Sequence, residues 1–152
     1  RNVGQLPVYY TKRRSHDYID SQALPLYPFG YGLSYTTFAY KNATATTTAD
    51  GTVKVECDVT NTGNTEGDEV AQLYLDDVTT SIWMPHNQLK GFCRLHLKPG
   101  ETQRVAFTLG QAELGIVNSQ RQLVVEPGKF KAYVGGSSQL GDSHAACEFT
   151  IE

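Results

Sequence analysis

Four histidines, two adjacent carboxylate pairs and three cysteines are the side chains here whose types suit catalysis or metal binding. His16, His86, His96 and His144 are scattered, and none falls in the His-Glu-x-x-His spacing that aligns two zinc ligands on one helix face. His96 alternates between Leu95 and Leu97, which assigns it to the solvated face of a strand. Acid–base hydrolysis by two carboxyls needs them roughly 5–9.5 Å apart across a cleft. Asp68-Glu69 and Asp76-Asp77 are chain neighbours, and neighbours on a strand point to opposite faces. Both pairs therefore read as solubilising groups at turns and strand ends, with a share in a calcium site as the alternative for Asp76-Asp77. Gly30-Tyr31-Gly32 lacks a third glycine and precedes a strand instead of a helix, so it is no phosphate cradle. No Gly-x-Ser-x-Gly elbow occurs. The residues thus yield no catalytic set, no metal site and no cofactor motif.

Cys57, Cys93 and Cys147 each continue an alternating apolar run: Val53, Val55, Cys57, Val59; then Cys93, Leu95, Leu97; then Cys147, Phe149, Ile151. Three inward cysteines behave as small core hydrophobes. A disulfide between one pair is the alternative, because spacing alone does not set the required geometry. Two aromatic features invite recognition chemistry. Trp83, the only tryptophan, sits in the polar loop 77–88, where it either stacks on a sugar or partner or folds back on its own domain. Tyr27, Phe29 and Tyr31 lie in Pro25-Leu26-Tyr27-Pro28-Phe29-Gly30-Tyr31-Gly32, too aromatic for a free linker. A rigid hinge between two domains and direct ligand contact are the two readings of that stretch. Asn42-Ala43-Thr44 is a glycosylation sequon, usable only in a eukaryotic secretory source.

The elements that must position these residues are strands. From Leu33 onward, period-two segments rich in Val, Thr, Tyr and Phe recur between turn signals. Strands are expected at 34–40, 52–60, 69–75, 89–97, 102–109, 123–125, 129–134 and 146–151, with a helical turn at 111–114. Seven or eight strands over about 120 residues is the rhythm of an all-β, immunoglobulin-like sandwich. Upstream, Val3 to Tyr10 reads as a short apolar strand broken by Pro7, and 11–32 as a linker. The total of 152 residues makes one domain with a remainder. The chain starts at Arg1 without a basic or apolar leader, so it is expected to be the tail of something longer or a cleaved product. No apolar run reaches the roughly 18 residues of a membrane-spanning helix. A net charge of −3 with interspersed signs argues against a nucleic-acid partner.

In order along the chain, these words resemble the C-terminal end of glycoside hydrolase family 3, the β-glucosidase and β-xylosidase family. Residues 25–38, Pro-Leu-Tyr-Pro-Phe-Gly-Tyr-Gly-Leu-Ser-Tyr-Thr-Thr-Phe, are similar to its junction into a third domain. Asn61-Thr62-Gly63, Gly67-Asp68-Glu69-Val70-Ala71-Gln72-Leu73-Tyr74, Leu89-Lys90-Gly91-Phe92, Leu97-Lys98-Pro99-Gly100-Glu101 and Val125-Glu126-Pro127-Gly128 follow. The resemblance implies that 1–10 is the last strand of a preceding α/β domain and 33–152 a fibronectin type III-like sandwich. It implies a non-catalytic role, bracing the catalytic domains of a parent β-glucosidase or mediating homo-oligomer contacts, with no cofactor. It also implies a secreted or periplasmic location. The family's catalytic carboxylates lie on its earlier domains, so no catalytic residue carries over. Trp83, Tyr27, Phe29 and Tyr31 become candidates for the rim of an oligosaccharide site, since third-domain loops reach the substrate entrance in some members. Trp83-Met84 departs from the more polar segment that many relatives carry there. An independent carbohydrate-binding module and an adhesion-type sandwich for protein partners are the rival readings.

Overall fold

A computed structural model describes Tyr10, residues 25–141 and residues 143–152. Apart from Tyr10, the expected strand at 1–10 lies outside the described residues, as do His16 and the part of the linker at 11–24. Two antiparallel sheets form the body. One has the order β1 (Phe38–Thr47), β2 (Val53–Asn61), β5 (Thr102–Leu109). The other has the order β4 (Gln88–Leu97), β3 (Gly67–Asp77), β8 (Gly128–Gly135), β9 (Ala145–Ile151). A helical turn α1 (Gln111–Leu114) and a small ladder of β6 (Ile116–Val117) with β7 (Leu123–Val124) close one end.

Alternation builds the core. Val53, Val55, Cys57 and Val59 of β2 and Val105, Phe107 and Leu109 of the neighbouring β5 share one buried cluster with Ala71, Leu73 and Leu75 of β3 and Phe130, Ala132 and Val134 of β8. Phe130 and Phe149 are direct cross-strand partners, and their rings stack at 5.3 Å between centroids. Burying one large apolar side chain is worth about 1.5–3 kcal/mol, so these inward rows dominate the stability. Cys57 is fully buried, while Cys93 and Cys147 are half-buried against the same core, and all three are free thiols.

The first strand differs from expectation. It starts at Phe38, not Ser34, and runs on to Thr47. Residues 34–37 are diverted because their polar groups serve the turn after β2: Thr36 Oγ1 donates to Asn61 Oδ1 at 2.6 Å, and Thr62 N donates to the Thr37 carbonyl at 2.8 Å. The strand then survives a bulge between Lys41 and Thr44, where Asn42 takes φ 53° and ties its amide to Asp58 at 2.8 Å. Ala43 and Ala45 past the bulge still pack on the core. The ladder of Ile116–Val117 was not expected, because two residues carry no periodicity.

Among the described residues, Asn61 is the one fully buried carboxamide. Its Oδ1 accepts from Thr36 and from the Gly63 amide at 3.0 Å, and its Nδ2 donates to the carbonyls of Thr65 and Leu97, both at 2.9 Å. One carboxamide thus ties the approach to β1, the β2–β3 turn and the end of β4. Replacing Asn61 with Ala orphans these groups, and the loss expected in urea titration is about 3 kcal/mol; under about 1 kcal/mol would deny it that role. Cys57 gives a second test. Burial pushes its thiol up to about 11, so the fold favours the protonated form. Its contribution is complete below about pH 9 and is lost as pH rises through about 11. Thiol-modifying reagent at pH 8 should leave Cys57 untouched in the folded chain.

Candidate functional site

Residues 28–37 form a strap across the outer face of the four-stranded sheet. Outward positions on β3 should be wet, yet Gln72 and Tyr74 are buried there. The strap covers them. Gln72 Nε2 donates to the carbonyls of Gly30 at 3.1 Å and Gly136 at 2.8 Å, and its Oε1 accepts from the Tyr74 hydroxyl. The Ser138 amide donates to the Phe29 carbonyl at 2.8 Å, and a turn closes from Tyr31 N to the Pro28 carbonyl at 3.1 Å. Gly30 has φ +77°, and a Cβ there would lie 2.0 Å from Gln72 Oε1. Glycine is required at that point twice over, by dihedral and by contact.

Tyr10 joins the same face. Its ring stacks on Phe29 at 4.3 Å and meets Tyr74 edge-on at 6.3 Å, and its hydroxyl accepts from the Leu89 amide at 3.0 Å. Burial, with Tyr10 beside it, raises the Tyr74 phenol above its ordinary value. Tyr10 thus adds to the cover over this face of the sheet.

Between strap and sheet lies a cleft of about 410 Å³ lined by Tyr31, Leu33, Phe38, Tyr40, Glu69 and Val70, with Ser137, Ser143 and His144 at one side. The Tyr40 hydroxyl donates to Glu69 Oε1 at 2.7 Å. Burial first, and then the Glu69 carboxylate, hold the Tyr40 phenol far above its ordinary value, so it stays a donor. His144 is engaged at both ring nitrogens, with the Ser137 carbonyl at 2.7 Å and Ser143 Oγ at 3.2 Å. Glu69 is the one carboxylate of the cleft without a cation among the described residues. Its neighbour Asp68 pairs with Arg94 and with His96 at 2.9 Å, which lowers the Asp68 carboxyl.

The residues singled out from sequence fall in two places. Tyr27 and Tyr31 lie together on the strap side, with ring centroids 5.4 Å apart, and Phe29 presents one face to Tyr10. Trp83 stands on the loop between β3 and β4, is 69% exposed, and makes no ring contact among the described residues. Asp76 accepts or shares a proton with His86 Nδ1 at 2.8 Å, and the Asp77 carboxylate accepts from the Thr79 amide at 3.3 Å. No group of three or more metal-ligating side chains occurs among the described residues. Gln72, Tyr40 and Gly136 escaped sequence reasoning, and Glu69, read from sequence as half of a solubilising carboxylate pair, lies instead in the cleft against Tyr40. Only the glutamine set inside the apolar run Ala71-Gln72-Leu73-Tyr74-Leu75 carried a signal, a polar residue where both neighbours are core.

Residues 69–138 match the family described as fibronectin type III-like domain. A β-xylosidase of Formosa agariphila is 47% identical over 93% of this chain and 21% of its own length. A periplasmic β-glucosidase of Salmonella typhimurium is 44% identical over 91% of this chain and 20% of its own. Among solved structures, a β-glucosidase of Erythrobacter marinus superposes with a TM-score of 0.88 at 37% identity, over 99% of this chain and 20% of that one. The chain thus spans about a fifth of the length of the relatives it matches.

Gln72→Leu tests how the strap is held. It leaves the Gly30 and Gly136 carbonyls without a donor, so a loss of about 2 kcal/mol is expected in denaturant, with faster hydrogen exchange at Ser138. Unchanged stability and exchange would show that the strap is held by other contacts.

Proposed function

Because the chain belongs to the fibronectin type III-like, C-terminal region of glycoside hydrolase family 3, we propose that it is a non-catalytic domain bracing the catalytic domains of a β-glucosidase-like parent. One observation carries this reading. Leu26, Tyr27, Phe29, Tyr31, Leu33 and Tyr35 are all exposed, up to 88% at Leu33 and 100% at Tyr35, on a backbone fastened to the sheet. Apolar side chains held rigidly but uncovered mark a surface built for contact. Tyr10, stacked on Phe29, lies beside them, and in this reading the parent's own catalytic domains are the cover.

The opposite face supports the same orientation. Across the three-stranded sheet, Arg104 bonds Asp58 at 2.7 Å and Thr44 at 2.9 Å, and Lys54 bonds Glu56 at 2.9 Å. A self-paired polar face of this kind is suited to water. In this reading 1–10 completes the preceding domain, 11–32 is the linker and 33–152 the brace. The parent hydrolyses β-glucosides, as the names of the matched relatives suggest, in a secreted or periplasmic setting. Tyr27, Phe29 and Tyr31 serve the interdomain contact first, and Trp83 remains the rim candidate nearest to solvent. Homo-oligomer contact through the same apolar strip is the finer variant.

An exposed Trp83 is what favours the second reading, an independent carbohydrate-binding module. Both are tested on purified 1–152. Aryl β-glucoside hydrolysis is expected to stay at the buffer rate, and Trp83 emission to stay constant as cellobiose is added. Enzymatic turnover would overturn the non-catalytic reading, and a saturable emission shift would favour the binding module.

A further inference from the structure

Glu69 presents a charge that meets no cation among the described residues. It lies in the cleft under the strap, and there its one hydrogen-bond partner among the described residues is the Tyr40 hydroxyl at 2.7 Å. Other acidic groups on the sandwich faces have found cations: Asp58 has Arg104, Glu56 has Lys54, and Asp68 has Arg94. His144, also at the cleft, is committed through both nitrogens to its own loop. The strap offers no help, because residues 25–37 contain no charged side chain. A carboxylate in a partly enclosed site retains its desolvation cost unless a cation meets it.

The surroundings are shaped for such a group. Tyr31, Phe38 and Tyr40 line the cleft and are of the aromatic type that attracts an ammonium or guanidinium, and Leu33 and Val70 add apolar lining suited to an aliphatic stem. Glycine at 136 makes the space for the carboxylate, since a Cβ there would sit 2.8 Å from Glu69 Oε1 and 3.7 Å from the Tyr40 oxygen. Tyr40 spends its hydroxyl proton on Oε1, which fixes the carboxylate in place and leaves Oε2 without a protein donor among the described residues.

We propose that the cleft receives a lysine or arginine side chain from the catalytic domains that cover the strap, with Glu69 as its ion-pair partner. This deepens the bracing reading and rests on it. The uncharged apolar strip supplies area, and the single recessed carboxylate supplies register, because a cation on the opposing surface has one place to go.

The experiment compares hydrogen exchange of residues 30–37 and 136–144 in two settings, the isolated chain 1–152 and the parent hydrolase carrying these residues in place. Glu69→Gln keeps an oxygen for Tyr40 and removes only the charge, so exchange and melting of isolated 1–152 should hardly change. In the parent, the wild-type segments should exchange more slowly than in isolation. Glu69→Gln should accelerate them roughly tenfold or more, and 1 M NaCl should shrink that difference. If the segments exchange equally fast in both settings, the bracing reading itself fails. If the parent protects them but Glu69→Gln exchanges like the wild type, or accelerates exchange equally in isolation, this inference alone is overturned. Protection of isolated 1–152 by millimolar glucose or cellobiose, lost in Glu69→Gln, would give the cleft to a sugar and also overturn it.

Discussion

A stretch of backbone that belongs to no strand lies across the four-stranded sheet, and its carbonyl groups must find donors there. That requirement governs this molecule. Water satisfies such groups in an ordinary linker, but here the buried Gln72 carboxamide supplies the donor to the Gly30 and Gly136 carbonyls. Once Gln72 is committed, Tyr74 must pack beside it, Gly30 must remain a glycine, and the loop at 136–138 must come close enough to share the amide. Both faces of β3 are then dry from Ala71 to Leu75. The sandwich has in effect a third, partial layer made from its own linker.

Asn61 plays the matching part at the other end of the strap. A buried carboxamide has two donor hydrogens and two acceptor sites, and all are used here by three separate segments. The two side chains together hold the strap at both ends, so Leu33 and Tyr35 between them are displayed and not merely loose. Stability and presentation have the same cause, since the hydrogen bonds that fasten the backbone leave the apolar side chains with nowhere inward to turn.

Much of this fold is legible in the sequence where one face of a strand is dry and the other wet. The rows Val53-x-Val55-x-Cys57-x-Val59 and Val105-x-Phe107-x-Leu109 state their inward face directly, and the structure agrees. Reading fails where a local rule is overridden from afar. Ser34 to Thr37 have strand-forming neighbours but give their hydrogen bonds to the Asn61 turn, so β1 begins later. Gln72 occupies an outward position, and alternation alone would leave it wet. Its burial depends on Gly30 and Gly136, which are remote in the chain and close only after folding. The Tyr40–Glu69 pair is invisible for the same reason: neither residue is unusual, and only the register of two different sheets brings them together. Asn61-Thr62-Gly63 and the run from Gly67 to Tyr74, two of the words that carry the family resemblance, contain several of these long-range partners.

The strap has a consequence for how the chain comes to be folded. Gln72 reaches back 42 residues to Gly30 and forward 64 to Gly136. On a ribosome adding about 5–20 residues per second, the strap emerges and then waits roughly 3–13 s between its anchor and the loop that completes the anchorage. During that interval its tyrosines and leucines have no sheet of their own to rest on. The exposed apolar side chains of the strap are thus synthesised well before the strand and loop that fix their backbone.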